Sequence, residues 1–306
     1  MITSDRDAEL ALLTPVMTAA LTPSAVTEGV PVLMSPLHLD EVPEAMEKMG
    51  WVIGAKMMRR WLNTQPVYRM EPSVRGGMDS RGKPVNYANL PAAQLDEKII
   101  TMDWALKYDR VSEMFEHSVL HWNTRNGIDR LRDQLRKHAG WEQGKAVSLG
   151  YGVRTAKELE LQSQVNSRSF GEYTDVFDDF YAAMFQANIK VAVRGKTRRL
   201  WASHSDVFEV EKVGVYLRDT YDFNGGWVEE FLVGLGVWSR DRMLTKRETL
   251  DYRSSSHASN AERYPGFVAL KNGDFRRWQD KNGKGGDFFV FSDISWVNSH
   301  VDHIVL

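Results

Sequence analysis

The sequence predicts an α+β fold, with a mainly helical N-terminal half packed against an antiparallel, β-rich C-terminal half. Three observations carry this reading. Met46, Met49, Ile53, Met57 and Trp61 recur at three- and four-residue steps, the stripe of an amphipathic helix. Val207 to Leu217 alternates apolar and polar residues, as a strand with one wet face does. Phe288-Phe289-Val290-Phe291, between Asp287 and Ser292, is a short continuous apolar run, the pattern of a buried strand. Helical patterns crowd the first half and strand patterns the second, which places a sheet against helices.

Taken in order, residues 1–36 read as a flexible N-terminal segment, punctuated by Pro15, Pro23, Gly29, Pro31 and Pro36. A mainly helical region follows over 37–165. Asp40 is an N-cap ahead of Glu41, Pro43 and Glu44, and Arg59 and Arg60 suit a helix C-terminus, so one helix is expected from Glu41 to Asn63. Residues 64–90 are irregular. Further helices are expected over about Ala92–His121 and Gly127–His138. The β-rich region over 166–306 opens with a helix at Tyr173–Phe185. A strand from Ala187 to Val193 comes next, with a turn at Gly195, and then the strand Val207–Leu217.

Composition narrows the chemistry. A chain of 306 residues can bury roughly three quarters of its unfolded surface. There are no cysteines, which removes disulfides, thiolate nucleophiles and cysteine-held metal clusters. A net charge of −2 argues against a protein that coats nucleic acid, and no nucleic-acid partner is expected. No run approaches the length of a membrane span. The start is acidic where a signal peptide would be basic, so synthesis in the cytoplasm without an ordinary signal peptide is expected.

The densest polar cluster is Arg218-Asp219-Thr220-Tyr221-Asp222-Phe223-Asn224-Gly225-Gly226. Asp219 and Tyr221 share a strand face, and Asp222 joins them if the chain turns at Asn224-Gly225. Two carboxylates and a phenol there suit a divalent cation or acid–base work, and equally suit a strand end capped by its own turn. Lys284, Gly285 and Gly286 form a second candidate, a glycine run whose amides would cradle an anion or simply turn the chain. Phe275-Arg276-Arg277-Trp278 would add cations to it. His117 with His121, His257, and His300 with His303 are weighed as metal or proton-transfer groups against ordinary structural roles. The Met-rich helix and the tryptophans can line a groove, a core or an interface.

The stretch from about Phe185 to Asn224 resembles the catalytic region of colicin M-like toxins, on the strength of Asp219-Thr220-Tyr221-Asp222-Phe223. That resemblance implies hydrolysis of the lipid II peptidoglycan precursor between its undecaprenyl lipid and its pyrophosphate, assisted by a divalent cation such as Mg²⁺. Asp219, Tyr221 and Asp222 would be the active-site residues, with Asp219 and Asp222 holding the cation. The His-Arg pair that follows the motif in those toxins is replaced by Val228-Glu229, and Arg240 and Arg242 are the nearest candidates for the leaving-group cation. A second set of residues resembles an uncharacterised bacterial family encoded beside type VI secretion genes. It comprises Val42–Met46, Met57–Trp61, Asp219–Asn224, Leu235–Trp238 and Gly283–Phe288.

Together these imply an antibacterial effector delivered to the periplasm of a target cell, with secretion-system components or a cognate immunity protein as partners. A non-enzymatic adaptor, chaperone or accessory of the secretion system stays open. So does a peptidoglycan hydrolase using His257 or His300.

Overall fold

A computed structural model of the chain describes residues 37–224 and 235–306. The expectations for residues 1–36, and for the turn at Gly225-Gly226, lie outside them. The architecture is mixed α+β, with helices α1 (Val42–Lys48), α2 (Val52–Asn63), α3 (Asp109–Leu120), α4 (Arg125–Ala139), α5 (Ala156–Gln162), α6 (Asp179–Met184), α7 (Lys246–Ser254), α8 (His257–Arg263) and α9 (Asn272–Asn282). Its strands are β1 (Leu95–Asp96), β2 (Ser148–Leu149), β3 (Gln164–Phe170), β4 (Ala187–Leu200), β5 (Ser205–Tyr221), β6 (Val237–Trp238), β7 (Val268–Ala269), β8 (Phe288–Phe291), β9 (Ser295–Val297) and β10 (His303–Val305). No helix among the described residues is long and apolar enough to cross a membrane.

The sheet is organised by one long antiparallel hairpin. β4 and β5 pair from Leu200↔Ser205 to Asn188↔Arg218. On the far side of β5, the chain from β8 through β9 to β10 runs back antiparallel as one interrupted strand, meeting it at Tyr221, Val215 and Glu209 in turn. β3 and β2 together flank β4 in the same interrupted way, and β1 adds to β8 in parallel. The turn expected at Gly195 is instead a bulge inside β4, where the register shifts between Arg194 and Gly195. A Cβ at Gly195 would lie 2.0 Å from the Glu209 carbonyl, so a side chain is excluded by backbone contact.

Both faces of the hairpin are covered. Ile189, Val191, Val193, Val213, Val215 and Leu217 face the larger core with α2, α4 and α6. Ala192, Tyr216, Phe289 and Phe291 face a smaller one with Leu159, Tyr87 and Met70. The larger core draws on residues from Leu37 to Ile304, so the helical and β-rich regions share it.

The helix expected over Glu41–Asn63 is two helices. Gly50, at φ +79°, ends α1, and α2 restarts after Trp51. The start of α2 is capped from outside. Asp179 of α6 accepts from the amides of Ile53 at 3.0 Å and Gly54 at 2.6 Å. The region expected as one helix over Ala92–His121 contains β1, a single turn at Met102–Ala105 and α3, and the one expected over Tyr173–Phe185 shortens to α6. Met46, Met57 and Met58 are buried, so they fill the core and do not form an open partner surface.

Candidate functional site

Beyond Arg218 the ladder between β4 and β5 has ended, and the last residues of β5 pair only with β8. A cavity of about 570 Å³ opens at this end of the sheet. Asp219, Thr220, Tyr221 and Asp222 line it together with Arg75 and Arg218. The rest of the lining is largely apolar, with Met46 and Met58 on one side, Tyr181 and Phe185 on another, and Trp238 and Met243 opposite. Trp51 and Trp238 meet edge to face there, with centroids 5.9 Å apart. The volume falls within the range of small-molecule sites, and an apolar chamber with a few convergent polar groups is their usual make-up.

The polar groups differ in their surroundings. Asp219 keeps some exposure because it faces the cavity. Burial pushes its carboxyl well above the ordinary value of 3.8, and neighbouring Asp222 adds to the shift. The Thr220 amide and the guanidinium groups of Arg218 and Arg75 oppose it. Asp222 is also raised by burial, and its partners hold it back more. It accepts from Thr220 Oγ1 at 2.9 Å and the Asn224 amide at 3.1 Å, and Arg75 Nη1 lies 3.7 Å away. Of this coupled pair, Asp219 is the one whose surroundings favour the neutral acid, and Asp222 the one whose partners favour the anion. Tyr221 stacks on Phe288 at 5.4 Å, and burial raises its phenol well above 10.0. Among the described residues its hydroxyl reaches only Met58 Sδ, at 3.8 Å.

The rest of the motif is anchored structure. Phe223 is buried and stacks on Phe275 at 3.7 Å. Asn224 Oδ1 accepts from Arg276 Nη2 at 2.8 Å, and Arg276 Nε donates to the Phe223 carbonyl at 3.3 Å. Arg276 is itself fixed by the fully buried Asp287, through Nη1–Oδ1 at 3.0 Å and Nη2–Oδ2 at 2.8 Å. Asp287 also accepts from Trp61 Nε1 at 2.9 Å and the Met70 amide at 2.8 Å. One carboxylate therefore ties α2, α9, the start of β8 and the turn after β5 together.

Other sequence candidates are placed elsewhere. Arg240 does not line the cavity, and its guanidinium contacts Glu41 at 3.1 Å. Arg242 pairs with Glu248. The glycine run is not an anion cradle, because its amides are committed. Gly285 donates to the Thr64 carbonyl at 2.9 Å and Gly286 to the Trp61 carbonyl at 3.1 Å. Lys284 is exposed beside them. The glycines let the chain pass against α2, since a Cβ at Gly286 would lie 2.4 Å from Thr64 Cγ2. Gly286→Ala is therefore expected to cost about 1–3 kcal/mol through overpacking, read as a lower midpoint in urea unfolding. His117 and His121 stack 4.3 Å apart, with Arg168 Nη1 2.9 Å from the His117 ring nitrogens. His257, His300 and His303 are exposed and away from the cavity.

The implied cation finds little here. Among the described residues no group of three or more His, Asp or Glu side chains is placed to hold a metal ion. Both Asp222 oxygens already have partners, and burial favours a neutral Asp219. The pair does not fit a divalent cation held by the protein alone. The sequence reading missed Arg75 and Arg218, the cations that do line the cavity. Arg75 lies in the irregular stretch 64–90, and Arg218 is named only as the first residue of the polar cluster, with no role attached.

The fold and cavity define an α+β protein built on one long hairpin, with a ligand-sized chamber where the hairpin's ladder ends. The chain belongs to DUF6402, a family of unknown function, which matches it over residues 37–305. No curated protein and no solved structure matches it.

Proposed function

We propose that the chain is an antibacterial effector associated with type VI secretion, and that its cavity is a hydrolytic site for an amphipathic phosphate ester of the lipid II type. The observation that carries this reading is that Asp219, Tyr221, Asp222, Arg75 and Arg218, contributed from both faces of the end of β5 and from the chain around Arg75, all line one largely apolar chamber. The apolar lining suits a hydrocarbon chain, and the polar wall suits the phosphate next to it. In the reaction water adds to phosphorus and the bond from phosphorus to the lipid oxygen breaks. Asp222 accepts the proton that the water loses, and Asp219 gives its proton to the departing lipid oxygen, so charge balances. Tyr221 forms the floor on which the phosphate rests. The two carboxyls supply both proton transfers, and assays with and without Mg²⁺ test the implied cation separately.

A second reading, a non-enzymatic adaptor of the secretion system, is favoured by the local bonds that occupy Asp222 and Asn224. Trp201 at the far tip of the hairpin, 80% exposed, would then be a contact residue. Growth of a susceptible bacterium separates the two readings. The chain is expressed in the cytoplasm and behind a signal peptide, as wild type and as Asp219→Ala. Arrest confined to the periplasmic wild type is the expected result. Normal growth in all four strains would favour the adaptor.

A further inference from the structure

Arg218 is 9% exposed, yet no carboxylate lies within ion-pairing distance of it among the described residues. Its Nη2 donates to the Tyr87 hydroxyl at 3.1 Å and, at 3.5 Å, to the Arg75 carbonyl. Both are neutral acceptors. Its Nε is buried and has no hydrogen-bond partner among the described residues. The guanidinium otherwise lies over the rings of Tyr87 and Phe289, at 5.7 and 5.3 Å. Asp219 is next in the chain but projects from the opposite face of the strand, so the two are not a pair.

Other deeply placed arginines are treated differently. Arg60, Arg110, Arg199 and Arg276 face Asp96, Asp178, Asp206 and Asp287. A buried charge without a counter-charge is costly unless something supplies one. Arg218 lines the cavity, and so does Arg75, whose half-exposed guanidinium stands beside Asp222. Two arginines among the lining residues of a largely apolar chamber match a phosphate or pyrophosphate head group, which carries close to two negative charges and accepts forked donors.

We propose that Arg218, assisted by Arg75, is the phosphate-receiving group of the cavity, and that the ligand is a phosphate-headed amphiphile whose hydrocarbon occupies the apolar part. This rests on the reading of the cavity as a ligand site and supplies the residue that recognises the head group. Arg218 completes the buried end of the site by accepting the anion it lacks in the protein itself. Arg75, nearer solvent and shared with Asp222, contributes less.

The test is calorimetric titration of the full chain with decyl phosphate below its micelle concentration, with decanol and with inorganic phosphate. Wild type is expected to bind decyl phosphate at least tenfold more tightly than decanol, and inorganic phosphate weakly or not at all. Arg218→Gln should lose at least tenfold for decyl phosphate and leave decanol unchanged. Arg75→Gln should lose only a fewfold. If Arg218→Gln binds decyl phosphate as wild type does, the assignment of Arg218 is overturned while the cavity reading stands. If wild type binds neither decyl phosphate nor decanol, the cavity reading fails and this proposal with it. Inorganic phosphate binding as tightly as decyl phosphate overturns the amphiphile. Should Arg218→Gln not fold, as judged by circular dichroism, the wild-type ratio decides: equal affinity for decyl phosphate and decanol overturns the proposal.

Discussion

Asp287→Ala is expected to lower the stability of the fold by about 3–5 kcal/mol in urea unfolding, the usual cost of removing one partner from a buried ion pair. Asp287 is fully buried and accepts from Arg276 twice, from Trp61 Nε1 and from the Met70 amide. Removal leaves a guanidinium that is only 15% exposed without its counter-charge, and two buried N–H donors without an acceptor. The same arginine holds the Phe223 carbonyl and Asn224, so the turn that sets Asp222 against the cavity is released as well. Replacing both partners together, as Asp287→Leu with Arg276→Met, should recover part of the loss, because no charge is then stranded. A single Asp287→Ala loss below about 1 kcal/mol, the level of an exposed pair, would show that this carboxylate is not the tie described here.

How much of this was legible in the sequence depends on how far apart the partners lie. The helix stripe from Met46 to Trp61 and the alternation from Val207 to Leu217 are local patterns, and both stand as regular elements. The break at Gly50 was not legible, since a lone glycine inside a helical pattern is often tolerated. A glycine in a strand pattern such as Gly195 signals either a turn or a bulge, and only the Glu209 carbonyl across the hairpin distinguishes them.

The site divides in the same way. Asp219, Tyr221 and Asp222 sit together in sequence and line one cavity. Arg75 and Arg218 are 143 residues apart, and nothing local marks them as neighbours. Arg240 is near the motif in sequence, while its partner Glu41 lies 199 residues away. In the glycine run the chemistry was real but its object was not. The Gly285 and Gly286 amides, weighed as an anion cradle or a turn, meet the end of α2.

Asp219→Asn is expected to abolish toxicity while making the protein more stable at neutral pH, and the two effects have one cause. Burial, with Asp222 close by, holds the Asp219 carboxyl well above its ordinary value in the folded protein, whereas the unfolded chain ionises it near 3.8. Below that value both states are protonated and the wild-type fold carries no penalty. As pH rises from 3.8 through the raised value of the folded state, unfolding releases a proton, and wild-type stability falls across that window. An asparagine does not titrate, so the stability of Asp219→Asn relative to wild type should grow from pH 4 upward and level off once the folded-state carboxyl has ionised. Urea unfolding of both proteins at pH 4, 6 and 8 measures this directly.

In the proposed reaction the same substitution removes the proton that Asp219 would give to the leaving oxygen. General acid catalysis contributes about 100- to 10,000-fold to rate, so hydrolysis of a lipid-linked phosphate should fall by at least the lower figure. A residue kept only to cap a strand end would behave otherwise. Its replacement would cost stability and spare activity, and the pH profiles of the two proteins would run parallel. Stability gained together with activity lost is the signature of a group held in an unfavourable state for the chemistry it performs. Either half failing would return Asp219 to the architecture of β5.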